Sequence, residues 1–138
     1  PRPLVRGLDP ARLPPVRADG VNRVPWAALR ETEFGPKAAP TFLKYVAELD
    51  GKRVTLTGFM APTGSDAVRG FLLTENPVGC WFCDSPGPTQ VVAVELAAGA
   101  VAEPTRAGVK VTGTLVLNRT DPERFPFAVT GATVGEVD

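Results

Sequence analysis

The chain has 138 residues, enough for one domain, and its 43% apolar and 22% charged residues are typical of a globular fold rather than a disordered segment. Fifteen basic residues balance fifteen acidic ones, so no net positive field exists to attract nucleic acid or anionic lipid. Histidine is absent, which excludes catalysis by Ser–His or Cys–His pairs.

Residues 1–25 are predicted to form an extended arm or linker. They contain six prolines, each of which fixes its own φ angle and removes a backbone donor. They also carry five arginines against two aspartates, so a tether that docks on an acidic surface is the alternative interpretation. Ordered structure is expected to begin over 24–29, with Trp26 buried. Residues 26–138 are then predicted to form a single domain.

A short amphipathic helix is predicted over 41–49. The apolar residues that recur there at helical spacing are Phe42, Leu43, Tyr45, Val46 and Leu49. Thr41 is the expected N-cap, and Asp50-Gly51 is a typical end of a helix.

After Gly51 the apolar period changes to two residues, which predicts β-strands. The five predicted strands cover 53–60, 68–74, 90–96, 109–117 and 125–134. Gly99 and Pro104 interrupt the segment 97–107, so no more than one helical turn is expected between the third and fourth strands.

The first and fourth predicted strands resemble each other over 54–58 and 109–113, and each segment ends in a glycine inside the strand. Such glycines mark bulges or sharply coiled points, which a small barrel needs in order to close. We therefore predict that a side chain at Gly58 or Gly113 would collide or force an unfavourable φ. The pattern predicts a mainly β fold, a five-stranded OB-like barrel. An SH3-like barrel and a small sandwich are the competing topologies.

The segment joining the second and third strands, residues 76–90, holds the candidate site. It is too rich in proline for a tight hairpin, and long structured loops in compact domains are often functional. Cys80 and Cys83 are the only cysteines of the chain. Trp81 and Phe82 lie between them and are unfavourable in water, so this loop is expected to pack against another surface and to act as a binding loop.

Three interpretations of the cysteine pair remain open. A redox pair has this spacing, although such motifs gain thiolate stability from a helix N-terminus. A metal site would use Cys80 and Cys83 as half of a tetrahedral zinc shell, completed by Asp84, Met60, water or a second chain, or as the two ligands of Cu(I). A structural disulfide or two half-buried thiols would simply fix the loop; closing so short a ring contributes about 2 kcal/mol.

No catalytic residue is predicted. The carboxylates Glu75, Asp84 and Glu95 carry no sign of a paired acid–base site and are interpreted as solvated charges at the barrel rim. Glycine-rich loops with phosphate-binding spacing are absent from the sequence.

Some OB barrels bind single-stranded nucleic acid through aromatic side chains and a basic groove. Four aromatic residues are candidates for stacking on bases, namely Phe59, Phe71, Trp81 and Phe82. Acidic residues outnumber basic ones over 31–138, however. Core packing is the better interpretation of Phe59 and Phe71, and no nucleic-acid partner is expected.

The strands and the loop resemble an uncharacterised family of exported bacterial proteins with an OB-like barrel, over about residues 50 to 118. The matching residues are Gly58-Phe59-Met60-Ala61-Pro62, Phe71-Leu72-Leu73, Pro77, Cys80, Pro86, Pro88, Gln90 and Val92. Many members carry Cys-x-His in the loop, which implies a metal-related role. This chain has Phe82 at the histidine position and adds Cys83.

The resemblance also implies export to the periplasm or cell envelope behind a signal or lipoprotein leader. The chain begins at Pro1 without a leader-like apolar stretch, which fits either a mature exported protein whose leader has been removed or a trimmed chain. We therefore expect a non-catalytic extracytoplasmic binding or accessory domain, with a thiol–disulfide redox protein and a single-stranded nucleic-acid-binding domain as alternatives. Zinc or copper is the expected metal. An envelope protein or a second copy is the expected partner, with membrane contact only through a removed leader or lipid anchor.

Overall fold

The computed structural model describes residues 20–34, 40–61, 69–76, 87–103, 105–118 and 125–136. Within these ranges the fold is mainly β, with short helices before the long strands. The elements in chain order are β1 (Asn22–Arg23), α1 (Trp26–Leu29), β2 (Glu33–Phe34), β3 (Pro40–Thr41), α2 (Lys44–Glu48), β4 (Arg53–Met60), β5 (Gly70–Thr74), a 3-10 helix (Pro88–Gln90), β6 (Val91–Leu96), β7 (Val109–Leu117) and β8 (Phe127–Glu136).

Five of these strands form a closed barrel in the order β4, β5, β6, β8, β7, and β7 pairs again with β4. Strands β6 and β8 run parallel, whereas the other barrel neighbours are antiparallel. The predicted OB-like barrel is confirmed. The bounds predicted for β4 and β7 are those observed, and the starts of β5, β6 and β8 differ by one or two residues.

The core lies inside the barrel because alternate residues of each strand point inward. On β7 the odd-numbered positions from Val109 to Leu117 are buried, while the even-numbered ones face outward. Helices α1 and α2 add Leu29 and Val46 to the same apolar cluster. The helical part therefore packs onto the barrel as one core.

Gly113 lies at a bulge between β7 and β8. The pairing register shifts between Thr112 and Thr114, opposite Gly131, whose φ is +59°. A Cβ atom at Gly113 would lie 2.7 Å from the carbonyl oxygen of Thr130. The prediction for this glycine is confirmed.

Gly58 is the point at which β4 changes partner. It pairs with Val109 of β7, whereas the residues after it pair with β5. A Cβ atom at Gly58 would lie 2.6 Å from the carbonyl oxygen of Thr74, so the predicted collision is confirmed here too. The two similar segments pair with each other, since Val54 lies opposite Gly113 just as Gly58 lies opposite Val109.

The predicted helix is shorter than expected and begins later. Thr41 belongs to β3 and pairs with Glu33 of β2, so its backbone is extended and it cannot cap the helix. Leu43 occupies the N-cap position of α2 without a side-chain hydrogen bond. The predicted end is correct, since Gly51 has a φ of +80°, a conformation that glycine adopts readily.

The last residues of the predicted arm are part of the fold. Strand β1 pairs in parallel with the first half of β4, and the amide of Val24 donates to the carbonyl oxygen of Thr55 at 2.9 Å. The expectation of no regular structure is therefore wrong for Asn22 and Arg23. Residues 1–19 lie outside the described part of the chain. Trp26, expected to be buried, is half-buried at the edge of the core.

Tyr45 links α2 to β1, since its hydroxyl donates to the carbonyl oxygen of Arg23 at 3.3 Å. Burial raises the pKa of this phenol above its ordinary value of 10.0, and the Arg23 charge opposes the shift. Replacing Arg23 with glutamine is therefore expected to raise the pKa of Tyr45 further. Tyr45 is the only tyrosine, so the ultraviolet absorbance of tyrosinate during an alkaline titration measures it alone.

The raised pKa also fixes the sign of a stability effect. The neutral phenol is favoured in the folded state. Its contribution to the free energy of unfolding is therefore complete below pH 10.0, the ordinary pKa, and is lost as pH rises through the folded pKa.

In the alkaline titration, Lys52→Gln is the control, because it removes a positive charge at a different position. An equal pKa in the Arg23→Gln variant and the parent would contradict the assignment.

Candidate functional site

The predicted site lies in a part of the chain that the structure does not describe. The residues concerned are Cys80, Trp81, Phe82, Cys83 and Asp84. We call residues 77–86 the cysteine segment. The structure does describe both of its neighbours in the chain, ending at Asn76 on one side and resuming at Gly87 on the other.

The two ends of the cysteine segment are joined by the sheet. The last paired residues of β5 and β6 are Thr74 and Val91, and the amide of Glu75 then donates to the carbonyl oxygen of Gln90 at 3.1 Å. This bond extends the contact between the two strands by one further residue. The cysteine segment thus begins and ends at adjacent points of the barrel rim.

Thr74 ties the first end to a third strand. Its side chain is fully buried, and its hydroxyl oxygen lies 3.1 Å from the carbonyl oxygen of Phe59 and 2.7 Å from that of Asn76. A hydroxyl has one proton to donate, so the two carbonyl groups share it. The residue that precedes the cysteine segment is thereby held against both β4 and β5.

The second end is fixed by a local turn. The amide of Gly87 donates to the side-chain oxygen of Gln90 at 3.2 Å, and the amide of Gln90 donates back to the carbonyl oxygen of Gly87 at 2.9 Å. Pro88 stands at the first helical position, where its missing N–H costs nothing. Helix α1 contacts this 3-10 helix, so the turn is packed as well as hydrogen-bonded.

An ion pair between Arg30 and Glu75 crosses the base of the cysteine segment. The Arg30 side chain is 47% exposed and that of Glu75 only 15%. The second carboxylate oxygen of Glu75 is buried and has no hydrogen-bond partner among the residues described. Glu75 is therefore not the solvated rim charge that the sequence suggested, because α1 brings an arginine over it.

The three carboxylates considered from the sequence do not form a site within the described structure. Glu95 pairs with Gly70 at the far end of β5 from Glu75, a separation of five residues or roughly 16 Å. Asp84 lies in the cysteine segment, outside the described residues. Among the residues that are described, no group of three or more aspartate, glutamate or cysteine side chains is placed to hold a metal ion.

The aromatic residues of the barrel divide between its two faces. Phe71 is buried in the core, as predicted. Phe59 is half-buried on the outer face, so the expectation that it packs in the core is wrong. Its neighbours Gly58 and Met60 occupy the inward positions, and alternation along β4 directs Phe59 outward.

Comparison with known proteins identifies the fold and the family. In the part of the chain that the structure describes, no helix has the length and apolar character needed to cross a bilayer. The crystal structure of a DUF3299 family protein from Pseudomonas aeruginosa PAO1 is similar, with a TM-score of 0.57 and 18% identity over 87% of this chain and 99% of that chain. No curated protein matches. The family model of DUF3299, "Protein of unknown function", matches residues 26–133, which include the whole cysteine segment. The chain therefore belongs to the DUF3299 family.

Proposed function

We propose that this barrel is a non-catalytic binding domain of the cell envelope and that the cysteine segment is its binding element. The observation that carries the proposal is the fixed base of the segment, where Glu75 and Gln90 are joined and Arg30 pairs with Glu75. Binding residues are often placed on loops that a stable scaffold positions. A short segment with both ends held in this way loses less conformational entropy when it binds a ligand.

The proposed ligand of the reduced segment is a soft metal ion. Thiolates favour Cu(I) and zinc, and Cys80 and Cys83 supply two of them three residues apart. Two thiolates can complete the coordination of Cu(I). Tetrahedral zinc needs two more ligands, which would come from Asp84, water or the cysteines of a second copy. Oxidation to a Cys80–Cys83 disulfide would remove both ligands, because metal binding requires thiolates.

The proposed location in the envelope rests on the sequence signature. The glycine–aromatic–methionine run at Gly58 and the proline-rich end of the cysteine segment resemble exported bacterial proteins. In that setting the partner is an envelope protein or a second copy of the chain. Fractionation of cells that express the full-length precursor tests this part, and a cytoplasmic protein would contradict it.

A thiol–disulfide exchange function is the competing proposal. It receives less support because β5 ends at Thr74, just before the cysteine segment, and only a three-residue 3-10 helix follows the segment. Redox cysteine pairs gain thiolate stability from the start of a longer helix. Reduction of insulin disulfides well above the rate of free dithiothreitol would favour the redox function instead.

The Cys80→Ser/Cys83→Ser double variant tests whether the two cysteines act together. We expect faster amide hydrogen exchange across residues 76–90, unchanged exchange in β7, and loss of metal uptake by the reduced protein. The two single variants are the matched controls, and each should resemble the double variant if the thiols form one unit. Equal exchange and equal metal uptake in the parent and the double variant would overturn the proposal.

A further inference from the structure

A cavity of about 360 Å³ lies over the outer face of β4, within the size range of small-molecule pockets. Its lining residues come from three separate regions of the chain, namely 23–26, 55–57 and Lys110. None of them belongs to the base of the cysteine segment. The cavity is therefore a second site, and no single stretch of the sequence predicts it.

Threonine side chains form the floor of this cavity. Val54 and Leu56 are buried inside the barrel, so alternation along β4 directs Thr55 and Thr57 outward. Thr57 is exposed and Thr55 is half-buried. A threonine hydroxyl can both donate and accept a hydrogen bond. The floor thus offers hydrogen bonds of both kinds without a formal charge.

The row of hydroxyl groups continues beyond the cavity onto β7 and β8. Thr112 lies opposite Thr55, and its hydroxyl donates to that of Thr55 at 3.2 Å. Thr133 lies opposite Thr112 on the next strand and is exposed. Neighbouring strands are about 4.8 Å apart, so the row reaches roughly 10 Å from Thr55. A ligand longer than one ring would find further hydrogen-bond partners along it.

Trp26 forms an apolar wall of the cavity. Its indole N–H donates to the carbonyl oxygen of Thr57 at 2.6 Å, which fixes the orientation of the ring. The polar edge of the indole is thus satisfied by the protein, and its remaining half-exposed surface is apolar. The face of an aromatic ring carries partial negative charge and attracts polarised C–H groups, such as those of a sugar ring.

This wall is preformed because it is hydrogen-bonded to β4 on either side of Trp26's own contact strand position. The side-chain amide of Asn22 donates to the carbonyl oxygen of Arg53 at 3.1 Å, and the amide of Val24 donates to that of Thr55 at 2.9 Å. Both bonds hold β1 along the edge of β4. A ligand would therefore not need to order this wall on binding.

The two cations that line the cavity do not form an anion site. Arg23 lies on β1 and Lys110 on β7, at opposite edges of β4. Lys110 also has an interaction partner within the protein. Recognition of a ligand here consequently rests on hydrogen bonding to the floor and on stacking against the wall.

We propose that this cavity binds a neutral sugar of gluco configuration, as one ring of a β-linked oligosaccharide. In such a ring the hydroxyl groups are equatorial, so each flat face carries only C–H groups and the edge carries the hydroxyl groups. The flat face packs against Trp26, and the edge bonds to Thr55 and Thr57. The next ring of the oligosaccharide follows the hydroxyl row toward Thr112.

Calorimetric titration of the full chain with cellobiose, glucose and benzyl alcohol tests the proposal. We expect saturable binding of cellobiose that does not change with salt concentration, because the ligand is uncharged. Glucose should bind at least about threefold more weakly, since it lacks the hydrogen bond to Thr112. Benzyl alcohol, which has a ring but a single hydroxyl, should bind more weakly than cellobiose. No binding of cellobiose, equal binding of glucose, tighter binding of benzyl alcohol, or an affinity that falls steeply with salt would overturn the proposal.

Substitutions then locate the site. Thr55→Val is expected to weaken the binding of both sugars about three- to tenfold, whereas Thr112→Val should weaken cellobiose more than glucose. Thr41→Val is the matched control, because Thr41 is an exposed strand threonine of β3 that does not line the cavity. In the Trp81→Phe variant the only remaining indole is Trp26, so cellobiose should change its fluorescence. Unchanged fluorescence, or equal cellobiose binding by Thr55→Val and the parent, would place the sugar elsewhere and contradict the assignment.

Discussion

Replacing Gly113 with valine is expected to lower the free energy of unfolding by about 3 kcal/mol, or to prevent folding. A Cβ atom at this position would lie 2.6 Å from Val129 Cγ1, 2.7 Å from the carbonyl oxygen of Thr130 and 3.1 Å from Ala132 Cα. Two of these three atoms belong to the backbone and cannot move aside by a change of rotamer. To relieve this steric clash, β7 and β8 would have to separate at the bulge that closes the barrel.

Gly135→Val is the matched control for this substitution. Gly135 lies on the same strand as the bulge, and no atom lies within 4 Å of the position that its Cβ would take. Valine favours β-structure, so this variant should be as stable as the parent or slightly more stable. Thermal denaturation of the two variants makes the comparison. Equal melting temperatures for Gly113→Val and the parent would contradict the close approach of β8 to Gly113.

Replacing Phe127 with alanine is expected to cost about 3–5 kcal/mol. Phe127 is the largest of the fully buried side chains within the described core, and its ring lies 5.7 Å from that of Phe42 at an angle of 57°. It thus joins the start of β8 to the chain segment that leads into α2. Its removal would leave a cavity that touches both the barrel and the helical part.

The control for Phe127→Ala is Val116→Ala. Val116 lies on the outer face of β7 and is 41% exposed, so its loss should cost less than about 1 kcal/mol. Chemical denaturation of both variants measures the two free energies. A cost below about 1 kcal/mol for Phe127→Ala would show that the helical part and the barrel do not share a core.

The barrel could be predicted from the sequence because apolar and polar residues alternate clearly along its strands. The bounds of β4 and β7 were predicted to the residue, since apolar and polar positions alternate along their whole length. In β8 the apolar positions change from odd to even numbers after Val129, because the bulge at Gly131 shifts the alternation by one residue. The strand end was predicted two residues early because Gly135 and Glu136, which are exposed, extend β8 beyond its last apolar residue, Val134.

The helical part was harder to predict because distant pairing overrides local preference there. Thr41 has the residue type of an N-cap, but it pairs with Glu33 in a two-residue ladder. Likewise, the prolines of the N-terminal segment predict irregular structure, yet Asn22 and Arg23 complete the edge of β4 that β5 leaves open. The local residue pattern of neither segment indicates that it pairs with a distant strand.

The surroundings of the candidate site were not predictable for the same reason. Arg30 and Glu75 are 45 residues apart in the chain, and only the packing of α1 on the rim brings them together. Closure of the barrel likewise places Lys110 beside Thr57, 53 residues earlier in the chain. Such convergence depends on topology, which a single sequence pattern does not encode.

The most direct test of the proposed function is the state of the two cysteines in protein purified without chelator. After reduction and exposure to Cu(I) or zinc, we expect stoichiometric bound metal and protection of the Cys80 and Cys83 thiols from a thiol reagent. The same assay on the Cys80→Ser/Cys83→Ser variant should give no bound metal. Two fully reactive thiols and no more metal than in that variant would contradict metal binding by the cysteine segment.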